Sequence, residues 1–385
     1  MDLVHGHLDD RFASLGEAFA SRLSDGTELG ASLCVIKDGE TVVDLWGGWS
    51  DKDKTVPWGE HTIATVWSTT KTMTNLTALV LVDRGEIDLD APVAHYWPEF
   101  AQGGKEAVEV RHLLGHTSGI AGWDQPVTVS DLYEWEKSTA MLAAQAPWWP
   151  PGSASGYHLL NQGHLVGEVI RRVTGLSVGA FFAKEIAGPM DADFHIGLDA
   201  ADAERVTPMV MPRALPLDPL DPDSIAYRAL TGPFLHARET WTDAWRTAEV
   251  PAANGHGNAR SIARAQAAVS HGGAFNGVQL LSERTLDSIF EVQAEGIDLV
   301  LGVPLRFGIG YALPEDSFTH IPAGRRCFWG GYGGSLILND LDNSMTVAYV
   351  MNKMALEYAP GTRRTRPCGD SRTDAYLDAI YAALS

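Results

Sequence analysis

Ser68 stands three residues before Lys71 within Val66-Trp67-Ser68-Thr69-Thr70-Lys71-Thr72-Met73. On a helix that offset puts both side chains on one face, so the amine can reach the hydroxyl. A hydroxyl beside an amine that can be neutral is a nucleophile with its base already in place. The chain has eight lysines, and only Lys71 has a serine three positions earlier. Ser68 falls where a loop gives way to a helical stripe, so its hydroxyl lies near backbone amides at the positive end of a helix. The same position also suits a helix-capping serine, and the pair needs partners before it means catalysis.

Two further segments supply them. Tyr157 follows the turn Pro151-Gly152-Ser153-Ala154-Ser155-Gly156 and is expected just before a helix. The run Phe328-Trp329-Gly330-Gly331-Tyr332-Gly333-Gly334-Ser335 leads into an apolar strand. Glycines there let a substrate or another backbone approach closely. It is not a dinucleotide loop, which follows a strand and opens a helix. No Gly-x-Ser-x-Gly elbow and no phosphate loop occurs, and no cofactor is expected. His112 and His116 are four apart, as metal ligands can be, but no zinc motif or third ligand accompanies them, and no metal is expected.

The elements that must position these residues are legible in part. Ala31–Ile36 and Thr41–Trp46 are apolar, β-branched runs around Asp38-Gly39, the pattern of a hairpin. Residues 10–23 carry apolar positions at helical spacing. From Lys71 a stripe of Met73, Leu76, Leu79 and Val80 predicts a helix ending at Arg84-Gly85. Helices are expected near 107–115, 130–146, 158–174 and 258–270, and an amphipathic one over 373–384. Ser335–Leu338 and Met345–Val350 have strand character. Residues 205–255 lack periodicity and predict a long irregular pocket wall. Strands at both ends with helices between predict an α/β (α+β) fold. In it an antiparallel sheet drawn from both termini is flanked by helices and carries an inserted helical part. Residues 1–70 with 256–385 form one expected unit and 71–255 the other, with the active site between them.

The 385 residues carry 49 acidic against 29 basic side chains, a formal charge of −20, which argues against nucleic acid or anionic membrane as partner. Three widely spaced cysteines, no export signal at the start and no long apolar run lead to the expectation of a cytoplasmic protein. Whether it forms a homo-oligomer is left open.

The ordered triple of Ser68-x-x-Lys71, Tyr157 and the Gly-rich run near 330 resembles the serine hydrolases of the penicillin-recognising superfamily. These are the class C β-lactamases, D-alanyl-D-alanine peptidases and family VIII carboxylesterases. Asp88–Val93, Leu113-Leu114-Gly115-His116-Thr117-Ser118-Gly119, Pro151–Tyr157 and Gly167–Gly175 are similar to that group in the same order. Two departures matter. Tyr157 is followed by His158 and Leu159, where β-lactamases usually have a small residue and then Asn. Trp329-Gly330-Gly331 stands where they have Lys-Thr-Gly, so the lysine that binds a substrate carboxylate is replaced by apolar surface. Trp-Gly-Gly resembles the family VIII esterases.

The resemblance implies a β-lactamase/transpeptidase-like fold and an acyl-enzyme on Ser68, with Lys71 and Tyr157 sharing the roles of base and acid. Positive charge nearby would favour a Tyr157 phenolate and desolvation a neutral Lys71, and the sequence leaves both open. It also implies an oxyanion hole from the backbone N–H groups of Ser68 and Tyr332. Trp329, Gly330, Gly331, Trp123, Trp148 and Trp149 are the expected substrate-binding residues, and short-chain carboxylic esters the expected substrates. The alternatives are a β-lactamase, a D-amino-acid peptidase or amidase, or an acyltransferase using the same centre. A non-catalytic ligand-binding relative is the remaining one.

Overall fold

The computed structural model describes residues 3–233 and 235–384. Strands β2 (Gly30–Lys37) and β3 (Glu40–Gly48) form the expected hairpin. Asp38 and Gly39 both take positive φ, 52° and 84°, as a type I′ turn requires. β1 (Val4–Leu8) adds to the outer side of β3. Its exposed His5-Gly6-His7 centre gives no apolar alternation, so this edge strand is silent in the sequence.

On its other side β2 pairs with the strand Met345–Met351, in register from Lys37 opposite Met345 to Ala31 opposite Met351. Leu336–Asp340 and Arg326–Gly330 complete six antiparallel strands drawn from the two ends of the chain. Arg326–Gly330 is itself a strand, so Trp329 and Gly330 lie on the sheet and not in a connector leading to it.

Both faces of the sheet are covered, which is why β2 is buried from Gly30 to Ile36 and shows no polar alternation. The helix Ala259–Ser270 lies on one face: Ser32 Oγ accepts from Ala259 N–H at 3.0 Å, and Ser270 Oγ meets Thr346 Oγ1 at 2.6 Å. On the other face α1 (Ala13–Ser24) and the helix Ser371–Ala383 meet the sheet, with the Tyr376 ring tilted against those of Phe19 and Tyr349. Capping boxes at Asn258/Ser261 and Asp370/Thr373 start the helices Ala259–Ser270 and Ser371–Ala383.

α2 (Thr70–Asp83) runs through the interior and is buried from Thr70 to Leu81, not only along its expected apolar stripe. Its polar side chains find acceptors. Thr72 Oγ1 donates to Thr69 O at 2.8 Å, Thr74 Oγ1 to Pro251 O at 2.6 Å and Asn75 Nδ2 to Gly310 O at 2.6 Å. The expected helix over 107–115 shortens to Val110–Leu114, and the one over 130–146 breaks at Glu134 into Val129–Tyr133 and Trp135–Ala144. The one over 158–174 starts only at Asn161, because His158 N–H is held by His116 Nδ1 at 3.1 Å and Leu159 O by Lys71. It ends at Gly175 in the left-handed conformation, φ 73°.

Residues 205–255 are less irregular than the sequence suggests. They carry helices Ile225–Thr231 and Asp243–Thr247. They then enter a strand, Gly255–Gly257, that pairs with Ala64–Thr65 just before Ser68. Among the described residues no helix is long and apolar enough to cross a membrane.

Candidate active site

Ser68 sits in the tight turn Trp67–Thr69 that opens α2. Three hydrogen bonds to two segments hold the turn. Val66 N–H donates to Gly255 O at 2.9 Å, Thr70 Oγ1 accepts from Gly255 N–H at 2.8 Å, and Ser335 Oγ donates to Val66 O at 2.8 Å. Trp67 is forced to a φ of 51°, a costly conformation for a bulky residue and one that persists only where its surroundings over-determine it.

Gly331 explains the glycine run. A Cβ there would lie 2.1 Å from Val66 O and 2.2 Å from Ser335 Oγ, so only glycine lets this backbone close on the Ser68 turn. Gly331→Ala is therefore expected to destabilise the fold by about 1–3 kcal/mol, read as a lowered melting temperature. An unchanged melting temperature would mean that the two segments do not meet this closely.

Lys71 is buried, with Nζ 3.2 Å from Ser68 Oγ, 2.7 Å from Leu159 O and 2.9 Å from Ala252 O. Burial drives its pKa well below the ordinary 10.5. As a neutral amine it has two N–H donors for the two carbonyls, which leaves its lone pair directed at the Ser68 hydroxyl. Tyr157 is also buried, and burial raises its pKa, opposed by hydrogen bonding with Ser68 and Trp329. Trp329 Nε1 donates to Tyr157 Oη at 2.8 Å. From beneath, Asp298 Oδ1 accepts the Tyr157 N–H at 3.0 Å and those of Val300 and Leu301 at 2.9 Å. Lys71 Nζ lies 4.8 Å from the centre of the Tyr157 ring. The structure thus brings the three sequence-predicted groups together.

Two cavities meet at Ser68. The larger, about 500 Å³, is walled by Trp67, Trp123 and apolar residues of 214–235. The smaller, about 170 Å³, is bounded by Tyr157 and by Gly330 to Gly334. Ser68 and Tyr332 line both, and among the described residues neither of their N–H groups has a protein acceptor. Gly330, Gly331 and Trp123 thus reach the cavities. Trp329, Trp148 and Trp149 line neither, contrary to expectation. Trp329 backs Tyr157, its ring 5.0 Å away. Trp149 donates its indole N–H to Ala154 O at 3.0 Å, and Trp148 stacks under Arg228, 4.2 Å from ring centre to guanidinium carbon. A polar hollow of about 610 Å³ shares no lining residue with these cavities, and its arginines Arg260 and Arg264 are paired with Asp44 and Asp191.

The histidines His112 and His116 do not converge. His112 Nδ1 accepts the Glu109 N–H in a helix cap, and His116 Nδ1 accepts the His158 N–H. Sequence reading missed Leu159 O, Ala252 O, Ser335 and Asp298, which act through backbone contacts that no motif records. Trp67 carried a visible signal only as a bulky neighbour of the serine.

With the geometry in view, the class is clear: residues 15–366 match the family described as Beta-lactamase, and the chain belongs to that family. It is an enzyme, a β-lactamase-like serine hydrolase of the esterase and β-lactamase group. The chain is 34% identical over 368 residues to the esterase/beta-lactamase LipL of Mycobacterium tuberculosis, an alignment spanning 91% of this chain and 83% of that protein. The crystal structure of a family VIII carboxylesterase superposes with a TM-score of 0.91 at 38% identity, covering 99% of this chain and 100% of the other. A penicillin-binding protein homologue from Caulobacter crescentus gives a TM-score of 0.90 at 35% identity, covering 99% and 100%.

Proposed function

We propose that this protein hydrolyses neutral carboxylic esters, short-chain esters among them, through an acyl-enzyme on Ser68. The observation that carries the reading is that no free cation stands at the site among the described residues. Among these, the larger cavity has no charged residue in its wall. In the smaller, the guanidinium of Arg366 is spent on both carboxylate oxygens of Asp374 and on Cys368 O. Trp329 stands where a carboxylate-binding lysine would be, and it donates to Tyr157 instead. A β-lactam or peptide carboxylate would lie there without a counter-charge.

The pKa directions support Lys71 as base and Tyr157 as acid, since burial favours a neutral amine and a neutral phenol. In acylation Ser68 Oγ bonds to the carbonyl carbon as its proton passes to Lys71. The carbonyl oxygen becomes an oxyanion facing the N–H groups of Ser68 and Tyr332. The bond to the alcohol oxygen then breaks, and Tyr157 protonates the leaving alkoxide. In deacylation water gives a proton to the Tyr157 phenolate and attacks the acyl carbon. Ser68 Oγ leaves with the proton held by Lys71. One ester and one water become one alcohol and one acid. On this reading residues 1–70 with 256–385 and residues 71–255 are the two units that meet at the site.

The test is a panel of vinyl butyrate, nitrocefin and a D-alanyl peptide, with intact mass read for an acyl adduct on Ser68. Fast ester turnover with little lactam or peptide turnover is expected. Faster nitrocefin or peptide turnover would overturn the ester assignment, and an adduct that never turns over would favour a binding role. Tyr157→Phe is expected to lower kcat/KM for vinyl butyrate at least about a hundredfold. A loss of only a few-fold would leave Lys71 as sole proton carrier.

A further inference from the structure

We propose that the two cavities divide the ester unequally, with a small alcohol in the 170 Å³ cavity and a long or bulky acyl group in the 500 Å³ one. This rests on the roles proposed above for Ser68 and Tyr157. The group that protonates the leaving oxygen must lie beside it. Tyr157 borders the smaller cavity and not the larger. Once the ester carbon is on Ser68 Oγ, its two substituents therefore have fixed destinations. The alkoxide lies toward Tyr157 among Gly330 to Gly334, and the acyl chain lies toward residues 214–235.

Size and chemistry then set the substrate class. The larger space has about three times the volume of the smaller, about 500 against 170 Å³, so the bulkier half of the ester belongs in it. The larger wall is built from Leu215, Leu217, Ala229, Leu230, Pro233 and Leu235. Leu217 on this wall and Leu230, which borders both cavities, leave 48% and 41% of their surface exposed. An acyl chain laid on them would cover them, and each methylene moved from water onto such a wall favours binding roughly fourfold. The substrates inferred are thus medium-chain or ring-bearing acyl esters of small, uncharged alcohols.

Ethyl octanoate and octyl acetate share one molecular formula with acyl and alcohol lengths exchanged, so their overall hydrophobicity cannot separate them. Proton release by the full chain is expected to give a kcat/KM for ethyl octanoate at least tenfold above that for octyl acetate. Equal rates, or faster octyl acetate, overturn the division while vinyl butyrate turnover keeps the hydrolase reading standing. Loss of all three substrates overturns both. Leu215→Trp, which narrows the larger cavity, is expected to lower the ratio of ethyl octanoate to octyl acetate turnover at least fivefold. An unchanged ratio overturns the placement of the acyl chain.

Discussion

Ser68→Ala is expected to lower kcat/KM for vinyl butyrate by about 10⁴-fold or more, because the side chain proposed to form the covalent intermediate would have no substitute. The Ser68 turn is held by Val66, Thr70 and Ser335 and not by the Ser68 hydroxyl, so the fold is expected to stay intact. Losing the hydroxyl's contacts with Lys71, 3.2 Å away, and with Tyr157 costs about 1 kcal/mol of stability each. Circular dichroism and the melting temperature check the fold, and intact mass is expected to show no acyl adduct. Folded protein that keeps near wild-type turnover would remove Ser68 from the mechanism altogether.

Lys71→Met is expected to cost about 10³-fold in kcat/KM, within the range for a positioned base that also orients the nucleophile. Its effect on stability has two opposing parts. Leu159 O and Ala252 O lose their donor, at about 1–3 kcal/mol each. Against this, the variant no longer buries an amine that is charged in the unfolded chain.

The sign follows from proton binding. Lys71 has a lowered pKa in the native state, so from 10.5 down to its native value the unfolded chain holds more protons than the folded one. Wild-type stability therefore falls as pH drops through that window, by up to about 1.4 kcal/mol per unit. The methionine variant lacks this slope, and the stability gap between the two proteins is expected to narrow as pH falls. Activity runs in the same direction. Wild-type kcat/KM is expected to rise with pH as Lys71 loses its proton, and the variant to lose that acidic limb. Denaturant midpoints and rate profiles from pH 5 to 10 measure both. A variant that keeps the acidic limb would show that another group carries it.

Much of the scaffold was legible because it rests on local signals. Asp38-Gly39 between β-branched runs can hardly be anything but a hairpin turn, and both residues take the positive φ that such a turn needs. The helix ending at Gly175 and the strand Met345–Met351 were equally plain. Boundaries failed where long-range contacts override local preference. Tyr157–Leu160 stays extended because His116 and Lys71 hold it. β1 is set by pairing with β3 and not by its own pattern.

The sequence by itself pointed to the family and to Ser68, Lys71 and Tyr157 as the proposed reactive groups, whose chemistry lies in residue type and order. By resemblance it also put Trp329 where a carboxylate-binding lysine is expected. Only the tertiary structure decided what Trp329 does in that place, which is to face Tyr157 with its indole N–H and leave the cavities to others. Only the structure could show that Trp148 and Trp149 are spent on packing, and that 214–235 walls a space about three times that beside Tyr157. The physical reason is common to all of these. Reactivity belongs to a side chain and its near neighbours, whereas burial, pKa and cavity shape arise from segments that meet only when the chain is folded.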